Sequence, residues 1–88
     1  MLKAYPNPFN PTTTIEFTLP EAGLATFTIY NMAGQKVREL AAERMNAGTH
    51  RLQWDGKDGS GSSVSAGIYF ALLKAGEMTA TGKLVLVK

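Results

Sequence analysis

From Thr13 to Leu19 the chain alternates cleanly, with Ile15, Phe17 and Leu19 on one side and Thr14, Glu16 and Thr18 on the other. This is the period of a strand with one wet face. Leu24 to Tyr30 repeats the pattern, Ala25, Phe27 and Ile29 inward against Thr26, Thr28 and Tyr30 outward. Further on, His50, Leu52 and Trp54 share a face against Arg51, Gln53 and Asp55. Gly67 to Leu73 is apolar on both faces, as expected of an interior strand. Met78 to Val87 reads as the last strand, with Gly82 as an expected bulge. Gln35 to Ala42 is less regular; we read it as a strand with an irregular end, followed by a polar loop from Glu43 to Thr49.

Turn chemistry separates these runs. Pro20-Glu21-Ala22-Gly23, Asn31-Met32-Ala33-Gly34 and Ala75-Gly76-Glu77 each place Gly or Asn where a chain reverses. The longest such segment, Asp55-Gly56-Lys57-Asp58-Gly59-Ser60-Gly61, follows the chain's one tryptophan and precedes its most apolar strand. There Asp55 is expected to cap the turn after Trp54, with Gly56 and Gly59 supplying positive φ. Leu52, Trp54, Ile68, Tyr69 and Phe70 flank it and suit a pleated, half-buried surface. About seven strands with turn signals every 8 to 12 residues predict an all-β chain, an immunoglobulin-like antiparallel β-sandwich. Residues 13–88 would form this single sandwich, behind a Pro-rich lead-in at 1–12.

That lead-in, Tyr5-Pro6-Asn7-Pro8-Phe9-Asn10-Pro11, holds three of the four prolines. Proline fixes its own φ and pushes its predecessor toward extended backbone, so the segment is stiff and non-helical. Its two rings would be costly to leave in water, and Phe9 is expected to pack onto the end of the domain. Asn10-Pro11-Thr12 is no glycosylation acceptor, because proline fills the middle position.

Composition narrows the field. At 88 residues without cysteine, and with 44% hydrophobic residues, the domain must be held by apolar packing alone. Nine basic against seven acidic residues, with no basic run, argue against a nucleic-acid or membrane-surface patch. No apolar run approaches the roughly 18 residues of a spanning helix, and Met1-Leu2-Lys3 opens no signal peptide. The chain is then either cytosolic or a module of a longer secreted protein, and its later residues favour the second.

No candidate chemistry survives inspection. His50 is the lone histidine, and a Ser-His-Asp set would have to borrow Ser60, Ser62, Ser63 or Ser65 with Asp55 or Asp58 from a flexible turn without a nucleophile elbow. The Asp55–Gly61 run fails as a calcium loop: Lys57 and Gly59 stand where oxygen ligands should alternate, and Ala66 occupies the twelfth position. At most Asp55 and Asp58 would bind calcium weakly. Gly59-Ser60-Gly61 leads into a strand, not a helix N-terminus, which disfavours phosphate. Tyr5, Phe9, Trp54, Tyr69 and Phe70 would suit sugar stacking if they formed a flat exposed row, but Trp54 on an inward face reads as core. No enzyme activity, cofactor or metal is expected.

Taken in order, Tyr5-Pro6-Asn7-Pro8-Phe9-Asn10-Pro11, the turn ending at Gly34, Ala47-Gly48, Trp54-Asp55-Gly56, Gly67-Ile68-Tyr69-Phe70 and Lys83-Leu84-Val85-Leu86-Val87-Lys88 form an ordered set. It resembles the C-terminal sorting domain, type A, of proteins exported by the type IX secretion system. The half from Trp54 to Phe70 is also similar to the immunoglobulin-like domain of the flagellar hook-capping protein. The Tyr-Pro-Asn-Pro-Phe opening favours the sorting domain.

The resemblance implies a non-enzymatic domain that is secreted or held at the cell surface and reached by way of the periplasm. A translocon in the outer membrane would read it, and a sortase-like peptidase would cut it from an N-terminal cargo domain. It also implies that the last strand carries recognition, here Gly82, Lys83, Leu84, Val85, Leu86, Val87 and Lys88. A terminal edge strand offers unpaired backbone groups for an added strand, and its flanking lysines would suppress promiscuous pairing. Apolar edge strands make self-association a further expectation. The other classes are a structural accessory domain of a hook-cap or extracellular assembly, and a carbohydrate-binding module.

Overall fold

In the computed structural model, which describes Leu2 to Val87, the chain is an all-β, immunoglobulin-like sandwich of seven strands. Lys88, the last of the expected recognition residues, lies outside the described residues. The strands are β1 (Leu2–Tyr5), β2 (Thr13–Leu19), β3 (Gly23–Asn31), β4 (Lys36–Met45), β5 (Gly48–Trp54), β6 (Gly67–Ala75) and β7 (Met78–Leu86). One sheet runs β1-β2-β5 and the other β4-β3-β6-β7, all pairs antiparallel. The chain passes from one sheet to the other between β2 and β3, β4 and β5, and β5 and β6.

The alternation explains the layers. Ile15, Phe17 and Leu19 from the smaller sheet meet Ala25, Phe27, Ile29, Ala71 and Leu73 from the larger, all nearly free of solvent. Phe17 and Phe27 bring their rings to 5.6 Å across the gap. His50, opposite Phe17 in the register, stacks on that ring at 5.6 Å and 24°, and its Nε2 lies 2.7 Å from the Asn46 carbonyl oxygen. It is thus a strand histidine satisfied locally.

Three local expectations are corrected. The polar loop from Glu43 to Thr49 does not exist: β4 continues to Met45, which is buried opposite Gly23, leaving Asn46 and Ala47 to join β4 to β5. The irregularity of β4 is two register shifts against β3, between Phe27 and Thr28 and between Ile29 and Tyr30, which turn Val37 and Leu40 toward the core. Gly82 forms no bulge; β7 pairs with β6 in unbroken register through Ala71↔Gly82. Its missing side chain instead leaves room for Leu2 of β1, whose Cβ lies 3.4 Å from where a Gly82 Cβ would stand. The third concerns Gly59: Gly56 (φ 73°) and Gly61 (φ 89°) take the left-handed backbone in the long turn, and Gly59 does not.

Candidate recognition surface

The sequence points to the end of β7, so the geometry there decides what it can offer. β7 is an edge strand of its sheet. The backbone groups of 83, 85 and 87 turn away from β6, toward the lead-in. These outward groups are occupied. Asn7 Nδ2 donates to the Lys83 carbonyl at 2.8 Å, and Val85 N–H donates to Asn7 Oδ1 at 2.9 Å. Phe9 N–H then donates to the Val85 carbonyl at 2.9 Å, and Val87 N–H to the Phe9 carbonyl at 2.9 Å. The expected open edge is therefore closed over Lys83 to Val87, because the Pro-rich lead lies along it.

Sequence explains why this clasp is stiff. Prolines at 6, 8 and 11 fix their own φ and cannot donate to a competing partner. Between them, Asn7 presents a carboxamide with the donor and acceptor of a peptide group, and Phe9 supplies a real one. Phe9's ring is 1% exposed and lies 5.6 Å from Trp54, which meets Tyr69 edge-on at 5.2 Å. The polar ends of these rings are satisfied: Trp54 Nε1 donates to the Lys57 carbonyl at 2.9 Å, and the Tyr69 hydroxyl to the Ser65 carbonyl at 2.6 Å. Burial pushes the Tyr69 hydroxyl pKa up.

The motif residues thus converge on one end of the sandwich. Thr13, buried at the start of β2, donates from its hydroxyl to the Pro6 carbonyl at 2.8 Å. Asp55 Oδ1 accepts from Lys57 N–H at 3.1 Å, the expected turn cap, and pairs with Arg38 Nη1 at 3.1 Å. Gly56 packs where a Cβ would meet the Pro11 carbonyl oxygen at 3.3 Å and a Leu86 methyl at 3.7 Å. Asn7, Phe9, Trp54, Gly56 and Tyr69 serve this one assembly. Gly34 (φ 82°) closes the β3–β4 turn, while Gly48 and Gly67 open β5 and β6. Sequence reasoning found Phe9 but missed Asn7, whose carboxamide reads in sequence like one more turn former.

The two flat faces differ. Tyr5 sits on the outer side of the small sheet, where its hydroxyl donates to Glu16 Oε1 at 3.0 Å and Arg51 Nε donates to the same carboxylate oxygen at 3.0 Å. The Tyr5 hydrogen bond and the nearby Glu16 charge raise the Arg51 pKa. Phe70, 40% exposed, faces outward from the other sheet. The candidate aromatics for a sugar platform are hence split between two opposite faces and a buried cluster. Among the described residues no three His, Asp or Glu side chains gather as metal ligands. Asp58 is engaged within its own turn, accepting from Ser60 N–H, Ser60 Oγ and Ser62 N–H.

A family model for the FlgD Ig-like domain matches residues 8–83. The chain belongs to that family. Among solved structures, the FlgD Ig-like fold recurs in FlgD from Xanthomonas campestris, described as the flagellar hook cap. That protein is 25% identical, with a TM-score of 0.67 over 96% of this chain and 60% of its own. Two larger proteins of Porphyromonas gingivalis share the fold at 15% identity. PorZ, described as an essential surface component of the type IX secretion system, gives a TM-score of 0.69 over 99% of this chain and 11% of its own. Latent PorU gives 0.73 over 98% and 9%. This chain therefore spans about a tenth of the length of those two proteins. No curated protein matches it in sequence.

Proposed function

We propose that this FlgD-type Ig-like domain is a non-enzymatic sorting module, carrying a larger cargo through the type IX translocon to the cell surface by protein–protein contact. The observation behind this reading is the clasp between the lead and β7. The FlgD family match covers residues 8–83. The clasp joins the two segments that carry the sorting resemblance, the Tyr5–Pro11 opening and the strand end from Lys83. The folded clasp presents Lys83 and Val85 as side chains on β7 with its outer edge already occupied, so contact would be made by surface docking and not by an added strand. The PorZ and PorU likenesses support the same fold serving proteins of that secretion system.

The second reading is an accessory domain in a structural assembly, favoured by the family match to the hook cap. A fluorescent reporter carrying this domain at its C-terminus, behind an ordinary signal peptide, separates the two. It would be expressed in a Bacteroidota host and in a strain of that host lacking the translocon. Sorting predicts reporter on the surface or in the medium only where the translocon is present, with the domain removed. Folded reporter held in the periplasm of both strains would favour the assembly reading.

A further inference from the structure

The sheet β4-β3-β6-β7 turns an apolar face to solvent. Side chains at Ala71, Leu73, Leu84 and Leu86 fill the core, so Ile68, Phe70, Leu72 and Val85 project outward. The register joins Tyr30 to Phe70, and sets Lys36 beyond Tyr30 and Lys83 beyond Phe70. One row across the sheet thus reads Lys36, Tyr30, Phe70, Lys83. The neighbouring pairs, Leu72 with Thr28 and Ile68 with Val85, widen the apolar centre. The small sheet's outer face is different: Lys3, Thr14, Glu16, Thr18, Arg51 and Gln53 make it polar, with Glu16 and Arg51 paired.

Charge separates the faces further. The outward positions of the large sheet carry Lys36, Lys74 and Lys83, and also Arg44, which stands opposite Leu24. Among the described residues on that face, Glu39 is the single carboxylate. The face therefore bears a formal +3, although the whole chain bears +2. Lys36 and Lys83 flank the Tyr30–Phe70 row itself, while Lys74 and Arg44 lie two and three rows further along the sheet.

We propose that this face docks onto a protein surface with an apolar centre ringed by carboxylates. An apolar patch with a charged rim is the form of a protein interface, and the rim sign selects the complementary partner. A second copy of this chain is disfavoured, because stacking two such faces would oppose lysines with lysines. An anionic bilayer is disfavoured because Ile68, Leu72 and Val85 are half-buried and Phe70 is only 40% exposed, which leaves little apolar surface to insert. The clasp contributes by fixing Lys83: its carbonyl is held by Asn7 while Phe70 lies across from it in the register. This inference deepens the sorting reading by naming the surface and the partner's chemistry, and it holds for any assembly that docks the domain.

The test places a photo-crosslinking amino acid at Phe70 or, as control, at Tyr5 on the opposite face, in the reporter fusion and host described above. Crosslinking is read in intact cells by mass spectrometry, separately from export. We expect a product from position 70 and not from position 5, to a host protein whose crosslinked surface is rich in Asp and Glu. Paired Lys36→Glu and Lys83→Glu changes should cut its yield at least about tenfold, since they reverse two rim charges. Both lysines are exposed, so a thermal melt of the double variant should match the parent. A product that is another copy of the domain, a lipid adduct, equal products from both positions, no product, or a yield indifferent to the charge reversals would each overturn the inference. Failed export with the position-70 product intact would instead sink the sorting reading alone.

Discussion

The carboxamide of Asn7 pairs with Val85 as a peptide group would: Val85 N–H donates to Asn7 Oδ1 at 2.9 Å while Asn7 Nδ2 reaches the adjacent outward carbonyl, of Lys83, at 2.8 Å. A side chain here does the work of a strand residue, and Phe9 continues it with backbone groups. Together they convert an edge that would template promiscuous pairing into a closed one.

Replacing Asn7 by Ala should remove both bonds and leave the Val85 N–H and Lys83 carbonyl to water. Each hydrogen bond at such an exposed site is worth about 0.5–1.5 kcal/mol net, so a loss of about 1–2 kcal/mol is expected. The sharper readout is amide hydrogen exchange: Val85 should lose protection while Leu84, which faces β6, keeps it. Equal protection of Val85 in both proteins would show that the clasp does not depend on Asn7.

Trp54→Ala should destabilise by about 3–5 kcal/mol, a large part of the stability of so small a domain. Trp54 is 0% exposed and touches both Phe9 and Tyr69, so its loss also frees the ring that anchors the clasp. A circular-dichroism melt unchanged within error would remove Trp54 from the core.

Much of this was legible beforehand because alternation is a strong signal wherever one face is wet. The facing residues of β2, β3 and β5 follow directly from it. Inward Phe9 was legible for a simpler reason: a large ring among prolines has no solvated place to go. What escaped depends on long-range partners. The four residues of β1 are too few to show a period, and they become a strand only against β2. Glu43 and Arg44 look like loop in sequence, yet β3 offers them a ladder as far as Met45. Gly82 looks like a bulge until Leu2 is seen above it, and Asn7 looks like a turn former until Val85 is seen beside it.

Gly56 and Gly59 of the long turn provide a paired test. Gly56→Ala forces a side chain onto a left-handed backbone with φ 73°, costing about 1–2 kcal/mol. It also brings a Cβ to 3.3 Å from the Pro11 carbonyl, a backbone atom that cannot swing aside. Gly59→Ala meets nothing within 4 Å and has no positive φ to strain it, so its melt should stay within about 0.5 kcal/mol of the parent. Equal destabilisation by the two would mean the turn is set by something other than backbone conformation and the contact with Pro11.

Asp58 gives the turn a pH dependence. The Ser60 hydroxyl at 2.7 Å, then the Ser62 and Ser60 N–H groups at 3.1 and 2.9 Å, donate to Oδ1 and hold its pKa below the ordinary 3.8. Those donors favour the charged form, so the folded pKa is lower than the unfolded one. The stabilisation is then fully present above the unfolded value and is lost as pH falls through the folded value. A carboxyl NMR titration should place Asp58 below 3.8, and Ser60→Ala should move it back up, since the largest contribution is gone. Because the donors to Asp58 all come from its own turn, amides of residues 59–62 should lose protection in acid before Val85 does. A midpoint at or above 3.8 in the parent domain would mean that the turn does not hold the carboxylate.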